Sequence, residues 1–160
     1  MPIGLIDNPG AANSDSYSGL AAAQLGPTTI DAVNGDTVAL TSGMLVAVVS
    51  TGYVPGVGVQ FKVRRNPTTA TPLCIGVVVD AAGAGIPVGG IVQVRISGPV
   101  NMLMDNNSTT IGHYVLQSTT TLANGTDSAS ATAGVTVGVV LQTLTVSAVN
   151  TMVSVYISRM

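Results

Sequence analysis

The chain has 160 residues and a mass of 15.9 kDa, the size of one domain. Its net charge is −2 and its pI is near 4.8, so it offers no basic surface for DNA or RNA. Charged residues make up 8% of the chain, against about 25% in an average soluble domain, and there is no Glu. Helix surfaces usually carry Glu, Lys, Arg and Gln, whereas this chain is rich in Thr, Ser, Gly and Val. The composition therefore predicts an all-β protein.

Several other classes of protein are excluded by short features of the chain. No apolar run approaches the roughly 18 residues of a membrane span. The first ten residues contain no Lys or Arg, so a secretory signal is not indicated. Cys74 is the single cysteine, so we expect no disulfide within the chain.

The chain divides into two parts at about residue 36. Residues 1–35 are rich in Gly, Ala, Ser, Asn and Asp without a period of two, which predicts an extended N-terminal arm. Residues 36–160 alternate β-branched runs with turn residues, at the spacing of a sandwich or barrel. We expect about nine short strands there, at residues 36–41, 43–50, 59–64, 73–79, 91–96, 99–104, 113–117, 135–144 and 152–158. The strand at 73–79 is apolar throughout, which predicts burial on both faces.

Two pairs of these strands resemble each other in sequence. Ile75–Val79 matches Val137–Leu141 at an offset of 62 residues, and Ile91–Ser97 matches Met152–Ser158 at an offset of 61. Two interpretations stay open, an internal repeat of a strand pair or the ordinary likeness of Val-rich strands. A glycine at the same place in each copy predicts a bulge or a close backbone approach, as at a barrel corner.

Catalytic and metal-binding side chains are scarce. The chain has one His, one Lys, one Cys and no Glu, so few acid–base mechanisms can be assembled. The best triad combines Ser118 and His113 with Asp105 or Asp127, but no G-x-S-x-G motif surrounds a serine. One His and one Cys cannot complete a zinc site within one chain. We expect no enzyme activity, no metal and no cofactor, and a hydrolase using Ser118 and His113 is a weaker alternative.

Three of the five cations lie close together, at Lys62, Arg64 and Arg65. Strand alternation places Lys62 and Arg64 on one face and Arg65 on the other. The cluster is either a solvated edge strand kept soluble by charge or a docking patch for an acidic partner surface.

The apolar content, 46% of the chain, also bears on assembly. With so few charges, a monomer would carry an unusually apolar surface. Burial of Val and Ile between subunits resolves this, and an arm rich in small residues can lie across a neighbour. We therefore expect a structural subunit of a larger particle.

Four stretches resemble the capsid decoration (cement) proteins of tailed bacteriophages: Thr71–Gly85, Val88–Gly98, Gly112–Ser118 and Val137–Val139. The shared pattern is a proline before an I/L-G-V strand, a small turn and a strand of alternating valines. A G-x-x-V-x-x-S element and a second I/V-G-V strand follow. The resemblance covers about residues 36–158.

The resemblance implies a β-barrel or tulip-like fold and assembly as a homotrimer. It also implies binding to the major capsid protein at capsomer junctions on the outer surface of the virion head, with no catalysis. The charge and hydropathy of the chain already predict no nucleic acid or membrane partner. The candidate capsid contacts are Lys62, Arg64 and Arg65, and in the arm Ile3, Leu5, Tyr17 and Leu20. The alternative is a phage tail, fibre or carbohydrate-binding adhesion module. Such modules usually expose aromatic platforms, and this chain has four Tyr, one Phe and no Trp.

Overall fold

The structure is a computed structural model that describes residues 27–54, 58–68, 74–79, 81, 83–105, 108–145 and 148–158, with side chains outside 50–60. The strands are β1 (Thr28–Asn34), β2 (Leu45–Val54), β3 (Gly58–Arg65), β4 (Cys74–Val79), β5 (Ile91–Met104), β6 (Tyr114–Gln117), β7 (Gly125–Ser128), β8 (Thr136–Val140) and β9 (Thr151–Ile157). The predicted all-β class is confirmed. Within the described residues, no helix has the length and hydrophobicity needed to cross a membrane.

The long strand β5 belongs to two closed rings of strands. Its first half, residues 91–97, pairs with β1 and β4, and β3 and β2 complete a ring in the order β1-β3-β2-β4-β5. Its second half, residues 98–104, pairs with β9 and β7, and β6 and β8 complete the ring β5-β7-β6-β8-β9. The described chain therefore forms two five-stranded barrels, here barrel 1 and barrel 2, that share one strand. Closure leaves neither ring with a free edge in these pairings.

The two barrels repeat one topology. In each, the first strand runs parallel to the third and antiparallel to the fifth. The second strand is antiparallel to the third and fourth, and the fourth to the fifth. The second half of β5 serves as the first strand of barrel 2. The internal repeat is confirmed, and it extends from the predicted strand pair to all five strands.

A β-bulge recurs at the same register position in both barrels. The pairing of β2 with β4 shifts between Val46 and Ala47, directly after Val46 pairs with Gly76. In barrel 2, the pairing of β6 with β8 shifts directly after Val115 pairs with Gly138. The predicted bulge beside the repeated glycine is therefore confirmed.

The repeated glycine is also required by a close backbone approach. A Cβ atom at Gly76 would clash with the carbonyl oxygen of Arg95, and one at Gly138 with the carbonyl oxygen of Tyr156. Both carbonyls belong to the fifth strand of their barrel, next to the fourth strand that carries the glycine. Each glycine thus lets two strands approach more closely than a side chain would allow.

Two buried clusters form the cores. The cluster inside barrel 1 comprises Ala32, Leu40, Val46, Val63, Val78, Val92 and Val94. The second cluster fills barrel 2 and also contains Leu45 and Val77, from the outer face of barrel 1. Val77 and Val78 are both fully buried, so the predicted burial of β4 on both faces is confirmed at its centre. One face packs inside barrel 1 and the other against barrel 2.

At two equivalent core positions, the side-chain volume is distributed differently in the two barrels. Barrel 1 has Ala32 on its first strand and Val63 on its third, where barrel 2 has Met102 and Gly125. A Cβ atom at Gly125 would run into the Met102 side chain. In barrel 2 a large residue facing a glycine thus takes the place of a small and a medium-sized residue, which roughly conserves the packed volume.

Three elements differ from the sequence prediction. β1 (Thr28–Asn34) lies within the stretch expected to be an arm, so barrel 1 begins before residue 36. Residues 36–41 form no strand, and only Leu40 makes an isolated bridge, to Ile86. β7 (Gly125–Ser128) was not predicted because its residues are typical of turns, and pairing with β6 makes it a strand.

The two expected strands at 91–96 and 99–104 are one strand of 14 residues. The expected break at Gly98-Pro99 is a bend, where Gly98 adopts a φ of +98°. Pairing with β9 continues through Pro99, opposite Tyr156. The chain crosses from barrel 1 to barrel 2 at this bend.

Substitution of the repeated glycine should destabilise the protein. We expect Gly76→Ala and Gly138→Ala each to lower the free energy of unfolding by about 1–3 kcal/mol or more, because the added methyl group meets backbone and not a movable side chain. Gly83→Ala is the matched control, since a Cβ atom there has nothing within 4 Å, and should change stability by less than about 0.5 kcal/mol. Urea denaturation of the three variants measures the difference. Equal stabilities would contradict the close approach.

Candidate interaction surface

The three clustered cations lie at the end of β3, as the sequence predicts. Lys62 and Arg64 are exposed on one face, and Val63 between them is buried in the core of barrel 1. Arg65 is half-buried. The predicted division of the three side chains between two faces is confirmed, and it separates two exposed cations from one that the fold uses.

Arg65 is held by Asp36. Its Nε donates to Oδ2 of Asp36 at 2.9 Å, its Nη2 to Oδ1 at 3.2 Å, and its backbone N–H to Oδ2 at 2.8 Å. A guanidinium and a carboxylate joined at two points form a strong, directional pair. The pair ties the turn after β1 to the end of β3. Arg65 is therefore committed within the fold, and its role as a partner contact stays a prediction.

The surroundings of Asp36 lower the pKa of its carboxyl group. Burial by itself would raise this pKa. The hydrogen bonds from Arg65 and from the backbone N–H of Thr37, together with the guanidinium charge, outweigh burial and hold the pKa well below its usual value. The ionised form is thus the one that the fold stabilises.

A surface groove of about 320 Å³ lies beside this ion pair. Its walls include Arg64 and Arg65 from barrel 1 and Leu122 from the β6–β7 turn of barrel 2. Val49, which also lines it, is 45% exposed and Leu122 is 41% exposed. We call it the junction groove, defined by Asp36, Val49, Arg64, Arg65 and Leu122. It presents an exposed cation together with two exposed aliphatic side chains, a combination that fits a protein surface with a carboxylate next to an apolar group.

Sequence reasoning identified the cations of this groove but missed Val49, Leu122 and the role of Asp36. Asp36 is 29 residues from Arg65, and no local pattern links the two. Leu122 is brought in only because barrel 2 packs against barrel 1. Exposed aliphatic residues in a β-rich chain are not distinguishable from core residues by type alone.

The residues of the suggested triad are divided between two separate pairs. His113 Nδ1 lies 2.7 Å from Oδ1 of Asp127. Ser118 is buried and donates its hydroxyl to Oδ2 of Asp105 at 3.0 Å, while its oxygen accepts the backbone N–H of Thr121. The serine hydroxyl thus closes a turn and pairs with a different carboxylate from the one that pairs with His113.

The remaining candidates are placed as follows. Among the residues that the structure describes, no three His, Cys, Asp or Glu side chains are grouped so as to hold a metal ion. Cys74 is half-buried and packs against the core of barrel 2. The arm candidates Ile3, Leu5, Tyr17 and Leu20 lie outside the described residues. Their role in capsid contact stays a prediction.

Comparison with solved structures shows a structural likeness. The chain is similar to the solved N base of the head fiber protein gp8.5 of bacteriophage phi29, at 10% identity and a TM-score of 0.49, over 82% of this chain and 94% of that chain. No protein-family model and no curated protein matches the chain. A likeness of this size assigns neither a family nor a function.

The Asp36–Arg65 pair should make stability depend on acid pH. Because the folded pKa of Asp36 lies below the unfolded value of about 3.9, its contribution is complete above about pH 4 and is lost as the pH falls further. We expect Asp36→Asn to lower the melting temperature clearly at pH 7, and the difference from the wild type to shrink between about pH 4 and pH 2. Thermal unfolding followed by circular dichroism measures this.

Asp31→Asn is the control, because Asp31 is an exposed carboxylate on β1. Its melting curve should stay close to that of the wild type at each pH. A constant difference between Asp36→Asn and the wild type from pH 7 to pH 2 would contradict the role of the ion pair.

Proposed function

We propose that this protein is a structural capsid decoration (cement) protein, which binds the outside of a phage head at junctions between capsomers and stabilises the shell. The resemblance of its strands and turns to that family supports the proposal, together with a surface suited to contact with other proteins. On this proposal the protein is not an enzyme, its partners are the major capsid protein and further copies of itself, as a homotrimer, and it lies on the outer surface of the virion.

The observation that carries the proposal is a surface with many exposed apolar side chains. Among the described residues these are Val38, Val49, Phe61, Val88, Ile91, Ile111, Leu122, Leu141, Val149, Met152 and Tyr156. The chain as a whole has only 12 charged residues, five Lys or Arg and seven Asp. Such a surface is typical of a protein that other chains cover.

Part of this apolar surface is repeated. Val88 and Ile91 of barrel 1 occupy the same positions as Val149 and Met152 of barrel 2, before and at the start of the fifth strand. They are 56% and 57% exposed in barrel 1, and 45% and 43% exposed in barrel 2. Neither pair belongs to the buried core clusters. Two equivalent apolar contacts on one chain suit a protein that bridges two neighbouring copies of one capsid protein.

Bridging would stabilise the shell by mass action. A protein that binds the assembled lattice better than separated capsomers shifts the equilibrium toward the lattice. Because the two contacts lie on one rigid chain, they act together. Loss of either contact therefore removes more than half of the stabilisation of the shell. The junction groove, with exposed Arg64 beside Leu122, adds a contact for an acidic capsid loop.

The copy number of the chain in particles tests the function. We expect quantitative mass spectrometry of purified phage particles from the source to find this chain at a large, fixed ratio to the major capsid protein. A handful of copies per particle would instead indicate a tail or fibre component. Absence from particles would contradict the whole proposal.

The bridging mechanism predicts different effects for single and double substitutions. Val88→Asp and Val149→Asp should each leave the protein able to bind heads that lack it, but should abolish most of the protection of those heads against heat. The double variant should bind the heads at least about tenfold more weakly than the wild type, since both contacts are lost. Sedimentation with heads measures binding, and release of packaged DNA on heating measures protection.

Ala131→Asp provides the control, because Ala131 is exposed, lies in the loop between β7 and β8 and belongs to neither apolar pair. It should bind and protect as the wild type does, and circular dichroism should show all variants folded. Full protection by both single variants would contradict bridging while leaving decoration itself intact.

A further inference from the structure

An apolar cavity of about 240 Å³ lies at one end of barrel 1. It is lined by Ile30, Val48, Phe61, Ile75 and Ile96, one residue from each of the five strands, and we call it the mouth of barrel 1. Phe61 is 36% exposed and the other four are half-buried. Contact of these side chains with water is unfavourable, so the mouth is suited to an apolar cover.

The equivalent end of barrel 2 is buried. The common register of the two barrels places Val100, Gln117, Ala123, Val137 and Ile157 at the positions of the five mouth residues. All but Val100 are buried, and Val100 packs against the core cluster of barrel 2. The same position is therefore exposed in one barrel and covered in the other.

Barrel 1 provides this cover with a row of side chains on its outer face. Leu45 pairs with Val77 across β2 and β4, and Val77 pairs with Arg95 across β4 and β5. Leu45 and Val77 are fully buried and belong to the same core cluster as Val137 and Ile157. A row on one barrel thus closes the end of the next barrel.

Barrel 2 carries a row at the equivalent place. Tyr114 pairs with Val139 across β6 and β8, and Val139 pairs with Tyr156 across β8 and β9. Tyr114 and Val139 are half-buried, Tyr156 is 38% exposed, and none of the three belongs to a core cluster. We call these three residues the outer row of barrel 2. It contains two of the five aromatic residues of the chain.

Within the described residues, the row of barrel 1 meets the end of barrel 2. The mouth of barrel 1 and the outer row of barrel 2 are then the two unmatched halves of the same kind of contact. A second copy of the chain can supply the missing half to each, because every copy carries both.

We propose that the outer row of barrel 2 in one copy packs on the mouth of barrel 1 in a second copy. The contact that joins the two barrels within one chain is thereby repeated between chains. Such a contact is head-to-tail, and it closes when the copies form a ring. The inference rests on the proposed function for the number of copies, which is three in the proposed homotrimer.

The contact between copies differs from the contact within a chain in its polar part. Within the chain, the carbonyl oxygen of Ala123 accepts the N–H of Leu45 at 2.7 Å, and Ala123 donates its N–H to the carbonyl oxygen of Asn66 at 3.0 Å. In barrel 2 the equivalent residues, Tyr114 and Ser128, pair with each other. The contact between copies is therefore made by side chains. Aromatic residues such as the two tyrosines are enriched in interfaces of this kind.

Aspartate substitutions in the two halves test the contact in the full-length protein. We expect the wild type to sediment as an oligomer, of three copies on the proposed function. Phe61→Asp and Tyr156→Asp should each weaken association at least about tenfold, because each places a carboxylate in an apolar contact. Ile111→Asp is the matched control and should associate as the wild type does, since Ile111 is 63% exposed and belongs to neither half. Sedimentation velocity measures association, and circular dichroism shows that each variant is folded.

A mixture of the two variants identifies the arrangement of the copies. At a concentration where each variant alone is monomeric, an equimolar mixture of Phe61→Asp and Tyr156→Asp should form dimers and nothing larger. The Tyr156→Asp chain retains an intact mouth and the Phe61→Asp chain an intact outer row, so one contact can form between them.

Four results would overturn the proposal. A monomeric wild type would mean that the copies do not meet without a partner, and a monomeric mixture would mean that the two halves do not meet. Loss of association in only one variant would indicate contact between two like surfaces. Unchanged association in both variants would mean that the copies meet elsewhere. These measurements use the isolated protein, so their failure is distinct from a failure of the proposed function, which the copy number in particles tests.

Discussion

The packing of barrel 1 against the end of barrel 2 is the contact on which the rest of the architecture depends. A five-stranded barrel of this length buries few side chains, and neither core contains an aromatic residue. Leu45 and Val77 extend the core of barrel 2 with side chains from outside it. The shared strand β5 (Ile91–Met104) holds the two barrels in the one arrangement that makes this possible. Two small cores thus become one larger apolar unit.

The same contact explains the distribution of surface features. Leu122 of barrel 2 lines the junction groove because the β6–β7 turn lies beside the end of β3. The outer face of β4 is buried because barrel 2 covers it. A cavity of about 240 Å³ lies at one end of barrel 1, lined by Ile30, Val48, Phe61, Ile75 and Ile96, whereas the equivalent end of barrel 2 packs against barrel 1. Differences between the two barrels therefore identify surfaces that a partner or a second copy of the chain can use.

Repetition also separates folding requirements from binding requirements. Gly76 and Gly138 recur because both barrels need the same close approach of strands. The exposed apolar pairs that begin with Val88 and Val149 recur although neither core contains them. Features of the first kind keep a barrel closed, and those of the second kind support the proposal of two equivalent contacts with a capsid. The Asp36–Arg65 pair occurs once, because Asp127 takes the place of Arg65 in barrel 2.

The sequence by itself determined the all-β class and most of the strands, and it showed the likeness of two strand pairs that the structure then identified as a repeat. These follow from composition and from local alternation, and the glycine of the repeat is visible because its position in each strand is the same. The exposed cations at Lys62 and Arg64 were also readable, since a strand alternates its faces at every residue.

Only the tertiary structure decided how these elements meet. β1 contains Asp31 and Asn34 and β7 contains Gly125 and Asp127, residue types that are depleted in strands. Both segments are strands because neighbouring strands satisfy their backbone hydrogen bonds. The closure of two rings through β5, and the meeting of Arg64 with Leu122 in one groove, join residues far apart in the chain. Local sequence patterns predict which face of a strand a side chain occupies. Which strand or barrel packs against that face depends on pairing between distant segments, and the free energy of that pairing cannot be predicted from a short segment alone.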